Sequence, residues 1–383
     1  MKICIISGSR SELDLLKNLI LEIKKDKFFN SKLLVTGSHL SKFFGNTVEY
    51  IKNQNLNIHN YINISIKGDS SEQVSKSFSL GVTKFTKIFS KIKPDAIVVL
   101  GDRYEIFSSV ISATLKKIPV VHIHGGEVTA GSMDEGIRHS ITKLSHIHFV
   151  STEEYKRRVI QLGENKKNVF NVGSLGAQSI KKIKLLNKTK LEKLLKIKFL
   201  KKITLVSFHP ETLEKKTNSK NLENFLNVLK NLNEYTIVFT MPNADIGYKS
   251  VFNKINNFVK NNQNAFLFKS LGHQKYFSLC KLINFYIGNS SSGIIELASF
   301  NKPSINLGQR QAGRLKPNNV IDCDFKKENI FKAIQIASSL KFKKRIRFLK
   351  NPYYKGDTSK KIVKSLKKIN LNKILYKKFF DTF

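Results

Sequence analysis

The sequence predicts an α/β protein made of two consecutive doubly wound parallel sheets, and three observations support this. The 383 residues are more than one hydrophobic core usually holds, so two domains are expected. Short apolar runs typical of buried parallel strands alternate with amphipathic stretches of helical length. Hydrophobic residues make up 41% and charged residues 25% of the chain, as in globular proteins, and no apolar run is long enough to cross a membrane.

The first half of the chain contains six predicted strands. They are the apolar runs Ile3–Ser7, Leu33–Thr36, Ala96–Leu100, Val120–Ile123, Ile147–Val150 and Val169–Val172. The stretches between them predict amphipathic helices over Glu12–Lys24, Glu72–Lys91, Glu105–Lys116 and Glu153–Leu162. This alternation indicates one parallel sheet with helices on both faces.

The same alternation resumes in the second half. Its predicted strands are Ile203–Phe208, Thr236–Thr240, Ala265–Phe268, Ile283–Ile287 and Ser304–Leu307. A lysine-rich helical stretch over 179–198 joins the halves, and an apolar stripe in the basic tail predicts a helix with a buried face, formed by Ile362, Leu366, Ile369, Leu371 and Leu375. We therefore expect Rossmann-like domains over 1–175 and 176–354, followed by a helical tail over 355–383.

Several strand-to-helix turns carry the pattern of a capping box. A serine and a glutamate stand three residues apart in Ser9 and Glu12, Ser132 and Glu135, and Ser151 and Glu154. In such a box the two side chains satisfy backbone amides at the start of a helix. We interpret these glutamates as capping residues. The turns also mark the strand ends at which doubly wound sheets bind ligands.

The net positive charge reflects a lysine- and asparagine-rich composition of the whole chain better than it indicates a nucleic-acid-binding site. Lys plus Arg exceed Asp plus Glu by 67 − 28 = 39, but nine of the basic residues are Arg, and 35 residues are Asn. Residues 101–150, which contain five of the nine histidines, hold five basic and five acidic residues. A nucleic-acid-binding protein is the alternative, and the scarcity of Arg and of known nucleic-acid motifs argues against it.

The N-terminal residues and the cysteines together predict a cytoplasmic protein. The first apolar run is too short for a signal peptide, and no small-residue cleavage site follows it. Cys4, Cys280 and Cys323 lie far apart, which excludes a disulfide framework and a cysteine-ligated zinc site and suits a reducing compartment.

Polar residues follow three strands of the first half. Gly8-Ser9-Arg10 is a small-residue turn with an arginine at a helix start, which suits a phosphate. Asp102 and Arg103 follow the strand that ends at Leu100, and as neighbours they could simply pair with each other. Glu127 follows two glycines, and Asp134 lies just beyond. Several carboxylates at one sheet edge raise some of their pKa values, which produces general acids and bases.

Two histidines precede Glu127 in the segment His122-Ile123-His124. Side chains two apart in a strand lie on the same face, so a metal site is one interpretation. Buried or supporting histidines are the other, and we favour it.

The second half has two comparable segments. Pro210 ends a strand and leaves His209 at the edge of the sheet. The segment Gly288-Asn289-Ser290-Ser291-Ser292 offers hydroxyl groups and backbone amides to a diphosphate, with Glu296 within reach of a ribose. An ordinary polar helix cap is the alternative. A glycine turn that carries Arg310 follows.

Together these segments resemble one family. From residue 1 to about 325 the chain is similar to the hydrolysing UDP-N-acetylglucosamine 2-epimerases of bacterial sialic-acid-type biosynthesis. The resemblance rests on an ordered set of motifs: G-S-R, G-D-R-Y-E, H-I-H-G-G-E, D-E-G-I-R-H-S-I-T-K, S-T-E-E-Y-K-R-R-V-I-Q-L-G-E, H-P-E-T, I-G-N-S-S-S-G and N-L-G-x-R-Q-x-G-R.

The resemblance implies a glycosyltransferase-B fold with UDP in the cleft between its two domains and the tail returning to the first. It implies loss of the sugar C2 proton and of UDP, then hydration of a 2-acetamidoglucal to N-acetylmannosamine. The family's catalytic positions match Asp102, Glu127, Asp134 and His209. Its nucleotide-binding positions match Arg10, Arg103, His209, Ser290, Ser291, Glu296 and Arg310. No redox cofactor and no obligatory metal are implied, and we expect a homodimer.

Other functions remain open at this point. The same chemistry could act on UDP-2,4-diacetamido-2,4,6-trideoxyglucose of legionaminic-acid synthesis, which differs at sugar C4 and C6. A glycosyltransferase would pass the sugar to an acceptor. A non-enzymatic UDP-sugar sensor would be expected to have lost the three carboxylates, and their presence argues against it.

If the charge of +39 reflects composition, the protein binds nucleic acid only weakly and without sequence preference. Binding to duplex DNA should fall steeply with salt, because it comes from counterion release. Fluorescence anisotropy with two unrelated duplexes at low and physiological salt measures this. A salt-resistant complex with one of the two sequences would contradict the interpretation.

Overall fold

The computed structural model describes residues 1–64, 68, 70–212, 218–242 and 245–381. It divides into two compact units, one comprising residues 1–127, 134–179 and 353–383, and the other residues 128–133 and 180–352. Each unit contains one sheet in which every strand pair is parallel. In the described residues we find no helix long and apolar enough to span a membrane.

The first unit is a seven-stranded sheet with helices. Its strands are β1 (Lys2–Ser7), β2 (Asn30–Thr36), β3 (Ile58–Ile62), β4 (Ala96–Leu100), β5 (Val120–Ile123), β6 (Ile147–Val150) and β7 (Val169–Asn171). Its helices are α1 (Arg10–Lys25), α2 (Val48–Lys52), α3 (Ser71–Ile92), α4 (Tyr104–Leu115), α5 (Asp134–Leu144), α6 (Glu153–Gln161) and α7 (Leu175–Lys182), the last of which ends in the second unit. The strand order β3-β2-β1-β4-β5-β6-β7 makes β1, β4 and β5 neighbours.

The second unit is a six-stranded sheet. Its strands are β8 (Lys202–Ser207), β9 (Tyr235–Thr240), β10 (Ala265–Phe268), β11 (Phe285–Gly288), β12 (Ser304–Leu307) and β13 (Val320–Cys323). Its helices are α8 (Lys188–Leu195), α9 (Asn218–Leu229), α10 (Tyr248–Lys260), α11 (Gly272–Leu282), α12 (Ser292–Ile295), α13 (Lys327–Ser338) and α14 (Leu340–Ile346). The order β10-β9-β8-β11-β12-β13 makes β8, β11 and β12 neighbours.

The predicted fold class is confirmed, and the predicted strands all form. Two further strands, β3 and β13, lack the continuous apolar run that marks the others. In β3 exposed and half-buried residues precede the buried Ile62, and β13 has no buried residue. Both lie at the edge of a sheet, where one side of the strand has no neighbouring strand to bury it.

The tail forms two more helices of the first unit, α15 (Thr358–Lys368) and α16 (Leu371–Ile374). Ile362 and Leu366 of α15 are fully buried in the same hydrophobic cluster as α1 and β1. Leu375 is 41% exposed and does not continue the buried stripe. The lysine-rich stretch over 179–198 is not one helix, because α7 ends at Lys182 and α8 begins at Lys188.

Leu366→Ala should destabilise the first unit, because it removes a side chain that is 1% exposed. Large-to-small core substitutions of this kind cost ~2–5 kcal/mol in the free energy of unfolding. Denaturant titration followed by circular dichroism measures the loss. The control is Leu375→Ala, which should leave the midpoint almost unchanged, and equal losses in the two variants would contradict the packing of α15.

Candidate functional site

The first unit gathers its polar side chains at the carboxyl ends of three neighbouring strands. Arg10 begins α1 after β1, Asp102 and Arg103 stand between β4 and α4, and Glu127 follows β5. Asp134 is the first residue of α5. Because parallel strands end at the same sheet edge, these residues share one edge of the first unit.

Arg138 of α5 connects this edge, although the sequence analysis assigned it no role. The residue is 1% exposed. Its Nη2 donates to the Asp102 carboxylate, and its Nη1 donates to the backbone oxygen of Glu127 at 2.9 Å and to Glu135 Oε2 at 2.8 Å. Arg138 therefore joins the end of β4, the loop after β5 and the start of α5.

Asp102 and Arg103 each have a partner other than their sequence neighbour. Asp102 pairs with Arg138, and Arg103 Nε donates to Glu105 Oε1 at 2.7 Å. Each of these two side chains therefore has a partner beyond the neighbour that the sequence suggested.

Glu127 is 4% exposed, and a glycine loop holds it in place. Ser151 Oγ donates to its Oε1 at 3.1 Å, and His124 Nδ1 lies 3.3 Å from the same oxygen. Gly126 adopts φ +75°, and a Cβ there would lie 2.5 Å from the Tyr155 carbonyl oxygen. Only glycine can occupy position 126 without strain. The turn that it forms places the Glu127 carboxylate beside Ser151 and His124.

The predicted capping pair of Ser151 and Glu154 is wrong. The cap of α6 is Thr152, whose Oγ1 accepts from Tyr155 N at 3.3 Å, because the helix begins one residue later than the pattern suggested. Ser151 is thereby available to Glu127, and Glu154 pairs with Arg158 at 3.0 Å.

Glu135, the glutamate of the capping box predicted at the start of α5, contacts side chains of the same helix. Glu135 is the second residue of the helix, and its two carboxylate oxygens contact Arg138 and His139 at 2.8 and 3.0 Å.

The turn after β1 does contain a serine cap, with two buried glutamates beneath it. Ser9 Oγ accepts from Glu12 N at 3.4 Å, while Glu12 Oε2 accepts from Gly8 N at 2.7 Å. Glu12 Oε1 and Glu105 Oε2 have no hydrogen-bond partner among the described residues. Burial and the nearby charge of Glu105 raise the pKa of Glu12 to about 8, so its carboxyl is protonated at neutral pH.

Arg10 lies over an aromatic ring. Its guanidinium carbon is 3.9 Å from the centre of the Tyr50 ring, and its Nε is 3.8 Å from Asp14 Oδ2. The Tyr50 hydroxyl donates to Asp14 Oδ1 at 2.5 Å. These contacts orient the arginine at the start of α1.

The second unit brings His209 and Arg310 to one carboxylate at its own sheet edge. His209 follows β8 and Arg310 follows β12, and both strands neighbour β11. His209 Nδ1 lies 3.8 Å and Arg310 Nη2 lies 3.4 Å from Asp245 Oδ2. Asp245 comes from the loop after β9, and no pattern in the sequence marked it.

Asn289 fixes the backbone at this edge. Its Oδ1 accepts from His209 N at 2.7 Å, and its Nδ2 donates to the His209 carbonyl oxygen at 2.9 Å. Arg310 Nη1 donates to the Asn289 carbonyl oxygen at 3.2 Å. Gln309 N and Arg310 N both donate to Glu211 Oε1, at 2.8 and 3.1 Å.

The serine-rich segment starts only a single helical turn. Ser291 is the N-cap of α12, which spans Ser292–Ile295, and Glu296 stands at its end. Ser290 N donates to the Tyr286 hydroxyl at 3.2 Å, and the Tyr276 hydroxyl donates to Ser292 Oγ at 2.6 Å. Glu296 therefore stands just over one turn beyond the N-cap, at the C-terminal end of α12.

Two units that each carry one parallel sheet with helices are the architecture of the glycosyltransferase-B fold class. The known structures agree with this fold. UDP-GlcNAc 2-epimerase from Neisseria meningitidis, solved with UDP-GlcNAc bound, superposes with a TM-score of 0.82 at 21% identity, covering 96% of this chain and 100% of that one.

Residues 21–367 match the model of the UDP-N-acetylglucosamine 2-epimerase family, and the chain belongs to that family. A hydrolysing GDP/UDP-N,N'-diacetylbacillosamine 2-epimerase of Campylobacter jejuni is 44% identical over 99% of both chains. Polysialic acid biosynthesis protein P7 of Escherichia coli is 39% identical over 99% of this chain and 97% of that one. UDP-N-acetylglucosamine 2-epimerase of Neisseria meningitidis serogroup B is 31% identical over 88% of each.

Glu12→Gln should stabilise the protein more at pH 8.5 than at pH 5. In the folded protein Glu12 keeps its proton up to about pH 8, whereas in the unfolded chain it ionises near 4.5. The stability that comes from the protonated form is complete below 4.5 and is lost as the pH rises towards 8. Glutamine stays neutral throughout and does not lose it.

Thermal unfolding at both pH values measures this difference, with Glu328→Gln at an exposed position of α13 as the control for removing one carboxylate. An equal shift in melting temperature at the two pH values would contradict a protonated Glu12.

Proposed function

We propose that the protein is a hydrolysing 2-epimerase of a UDP-2-acetamido sugar. UDP-N-acetylglucosamine and water would give N-acetylmannosamine and UDP through a 2-acetamidoglucal. The observation that carries the proposal is the edge of the first unit. There the buried Arg138 donates to the Asp102 carboxylate and to the backbone carbonyl oxygen of Glu127, and Asp134 lies one helical turn before that arginine.

The three carboxylates fit the elimination step. The hydrogen on sugar C2 is weakly acidic, so it leaves only as the C1–O bond to UDP breaks and positive charge develops on the ring. Carboxylates beside the ring stabilise that charge, and one of them takes the proton. The electron pair of the C2–H bond becomes the C1–C2 double bond, and the pair of the C1–O bond leaves with UDP.

The hydration step needs a proton donor. Water adds at C1 of the glycal, and C2 receives a proton on the face opposite to that of the original hydrogen, which inverts C2. We assign base and acid roles collectively to Asp102, Glu127 and Asp134, with His209 as a fourth participant. The crowding of carboxylates around one edge favours a protonated member.

The leaving group, UDP, carries a negatively charged diphosphate, which cationic side chains and amide donors stabilise. Arg10 and Arg103 in the first unit and His209 and Arg310 in the second are the proposed contacts to the nucleotide diphosphate. Ser290 and Ser291 would add hydroxyl and amide donors, and Glu296 would accept from the ribose. These roles rest on the family's motifs and on the position of each residue at a strand end.

This assignment gives each part of the chain a task. Residues 1–175 would bind the sugar and carry the carboxylates, residues 176–354 would bind UDP, and residues 355–383 would complete the first domain.

A second substrate has a specific observation in its favour. N,N'-diacetylbacillosamine is the 2,4-diacetamido-2,4,6-trideoxy sugar, and the relative that shares 44% identity is named for its nucleotide form. The reacting carbons are the same in both substrates, since they differ only at C4 and C6. Incubation with each UDP-sugar, followed by NMR of the released sugar, decides between them.

The same NMR experiment separates hydrolysis from glycosyl transfer. In the absence of any acceptor an epimerase releases the free 2-epimer together with UDP. A glycosyltransferase would leave the UDP-sugar intact or release the sugar with its original configuration at C2.

UDP should raise the melting temperature of the protein, and Arg310→Ala should weaken its binding about ten- to a hundredfold, as expected for a charge-assisted hydrogen bond to a phosphate. Ser290→Ala should weaken it less, because a neutral hydroxyl contributes a weaker bond. Isothermal titration calorimetry measures both, with Arg345→Ala as the matched arginine control. Unchanged UDP affinity in both variants would contradict the assignment.

Asp102→Asn, Glu127→Gln and Asp134→Asn should each lose at least ~100-fold in turnover while keeping the fold and UDP affinity. In heavy water the product should carry deuterium at C2, because that proton comes from solvent. NMR of the product and steady-state kinetics test this, with Glu154→Gln as the control. Retention of the substrate's own hydrogen, or near-normal turnover in all three variants, would contradict the mechanism.

A further inference from the structure

His122 is a buried polar side chain to which the roles above give no task. It is 0% exposed and lies in β5, in register with Val99 of β4 and His148 of β6. Burial lowers the pKa of the His122 ring to about 3, so the ring is neutral. A neutral imidazole has one donor and one acceptor nitrogen, and its neighbours decide which is which.

The two ring nitrogens of His122 contact two different elements. Nε2 lies 2.8 Å from the Gly101 carbonyl oxygen, and Nδ1 lies 3.2 Å from Thr142 Oγ1. A carbonyl oxygen only accepts hydrogen bonds, so Nε2 carries the proton and donates it to Gly101. Nδ1 is then an acceptor, and it shares the single Thr142 hydroxyl proton with the Arg138 carbonyl oxygen, which lies 3.0 Å from the same Oγ1.

Both contacts act on Asp102. The Gly101 carbonyl belongs to the peptide group that joins Gly101 to Asp102, and Gly101 has a φ of +80°. Thr142 lies one turn after Arg138 on α5, and Arg138 donates to the Asp102 carboxylate. His122 thus contacts the carbonyl of the peptide group that precedes Asp102 on one side, and the helix that carries the partner of Asp102 on the other.

We propose that His122 is a positioning residue that sets the Asp102 carboxylate relative to Arg138. The inference rests on the proposed function, in which Asp102 acts on the sugar. Without the donor at Nε2 the Gly101 peptide could rotate, and Asp102 would move with it. A displacement of about 1 Å at a reacting group lowers a rate by ~100-fold.

Three variants separate the parts of this arrangement. His122→Phe keeps an aromatic ring but removes both hydrogen bonds, whereas His122→Gln keeps a donor that can reach the Gly101 carbonyl. Thr142→Val removes the hydroxyl that contacts both Nδ1 and the Arg138 carbonyl oxygen, and leaves the donor at Nε2 in place. The matched control is His148→Phe, because His148 is also 0% exposed and lies in register on the next strand, but its Nε2 contacts Glu164 Oε2 at 3.0 Å.

The readout is the split between kcat and KM, together with UDP affinity as a measure of correctly folded protein. His122→Phe should lose ~30- to 100-fold in kcat with little change in KM or in the Kd for UDP. His122→Gln should recover most of the loss, Thr142→Val should lie between the two, and His148→Phe should keep a kcat near that of the wild type. If His122→Phe does not fold, Thr142→Val and His122→Gln carry the test.

The inference is overturned if His148→Phe loses as much kcat as His122→Phe, or if glutamine restores nothing. It is also overturned if KM and the Kd for UDP rise in step with the loss of kcat, because that pattern indicates general unfolding of the site.

Failure of the proposed function gives a different result. In that case the wild type releases no 2-epimer from either UDP-sugar. The arrangement is then tested by 15N NMR of the histidine rings, with His122→Gln used to assign the signal. A His122 ring protonated at Nε2 supports the positioning geometry, and a ring protonated at Nδ1 overturns it independently of activity.

Discussion

The first unit depends on the compensation of one buried charge. Arg138 is 1% exposed, and a guanidinium removed from water is costly unless its donors are satisfied. The Asp102 carboxylate, the Glu127 carbonyl and the Glu135 carboxylate supply the acceptors, and they come from three different segments. The same contacts that neutralise the arginine therefore bring together the ends of β4 and β5 and the start of α5.

This dependence links stability to the proposed chemistry. A carboxylate held by a buried arginine keeps a fixed position without relying on a ligand, which is the preorganisation that catalysis of proton transfer requires. Glu127 is fixed differently, by Ser151 and by the glycine turn that precedes it. Glu12 and Glu105 lie beneath the turn after β1, where burial keeps one carboxyl protonated. One sheet edge thus provides carboxyl groups in different electrostatic settings.

In the second unit, the polar residues at the sheet edge are held mostly by hydrogen bonds to backbone atoms. Asn289 uses both ends of its amide to hold His209, and its own carbonyl oxygen accepts from Arg310. Asp245 lies near the side chains of both His209 and Arg310. Side chains that such contacts already orient lose little conformational entropy when a ligand binds.

The sequence by itself determined the fold class, every strand that is buried on both faces, and the family, because buried parallel strands and ordered motifs are local patterns. It missed β3 and β13, since these two edge strands, unlike β7 and β10, lack a continuous apolar run. It named Asp102, Glu127, His209 and Arg310 from their places at strand ends, and these roles stay predictions. Only the tertiary structure decided which partners they have. Arg138, Ser151 and Asp245 reach them from other turns and helices, and hydrogen bonds between segments far apart in sequence leave no periodicity in the chain.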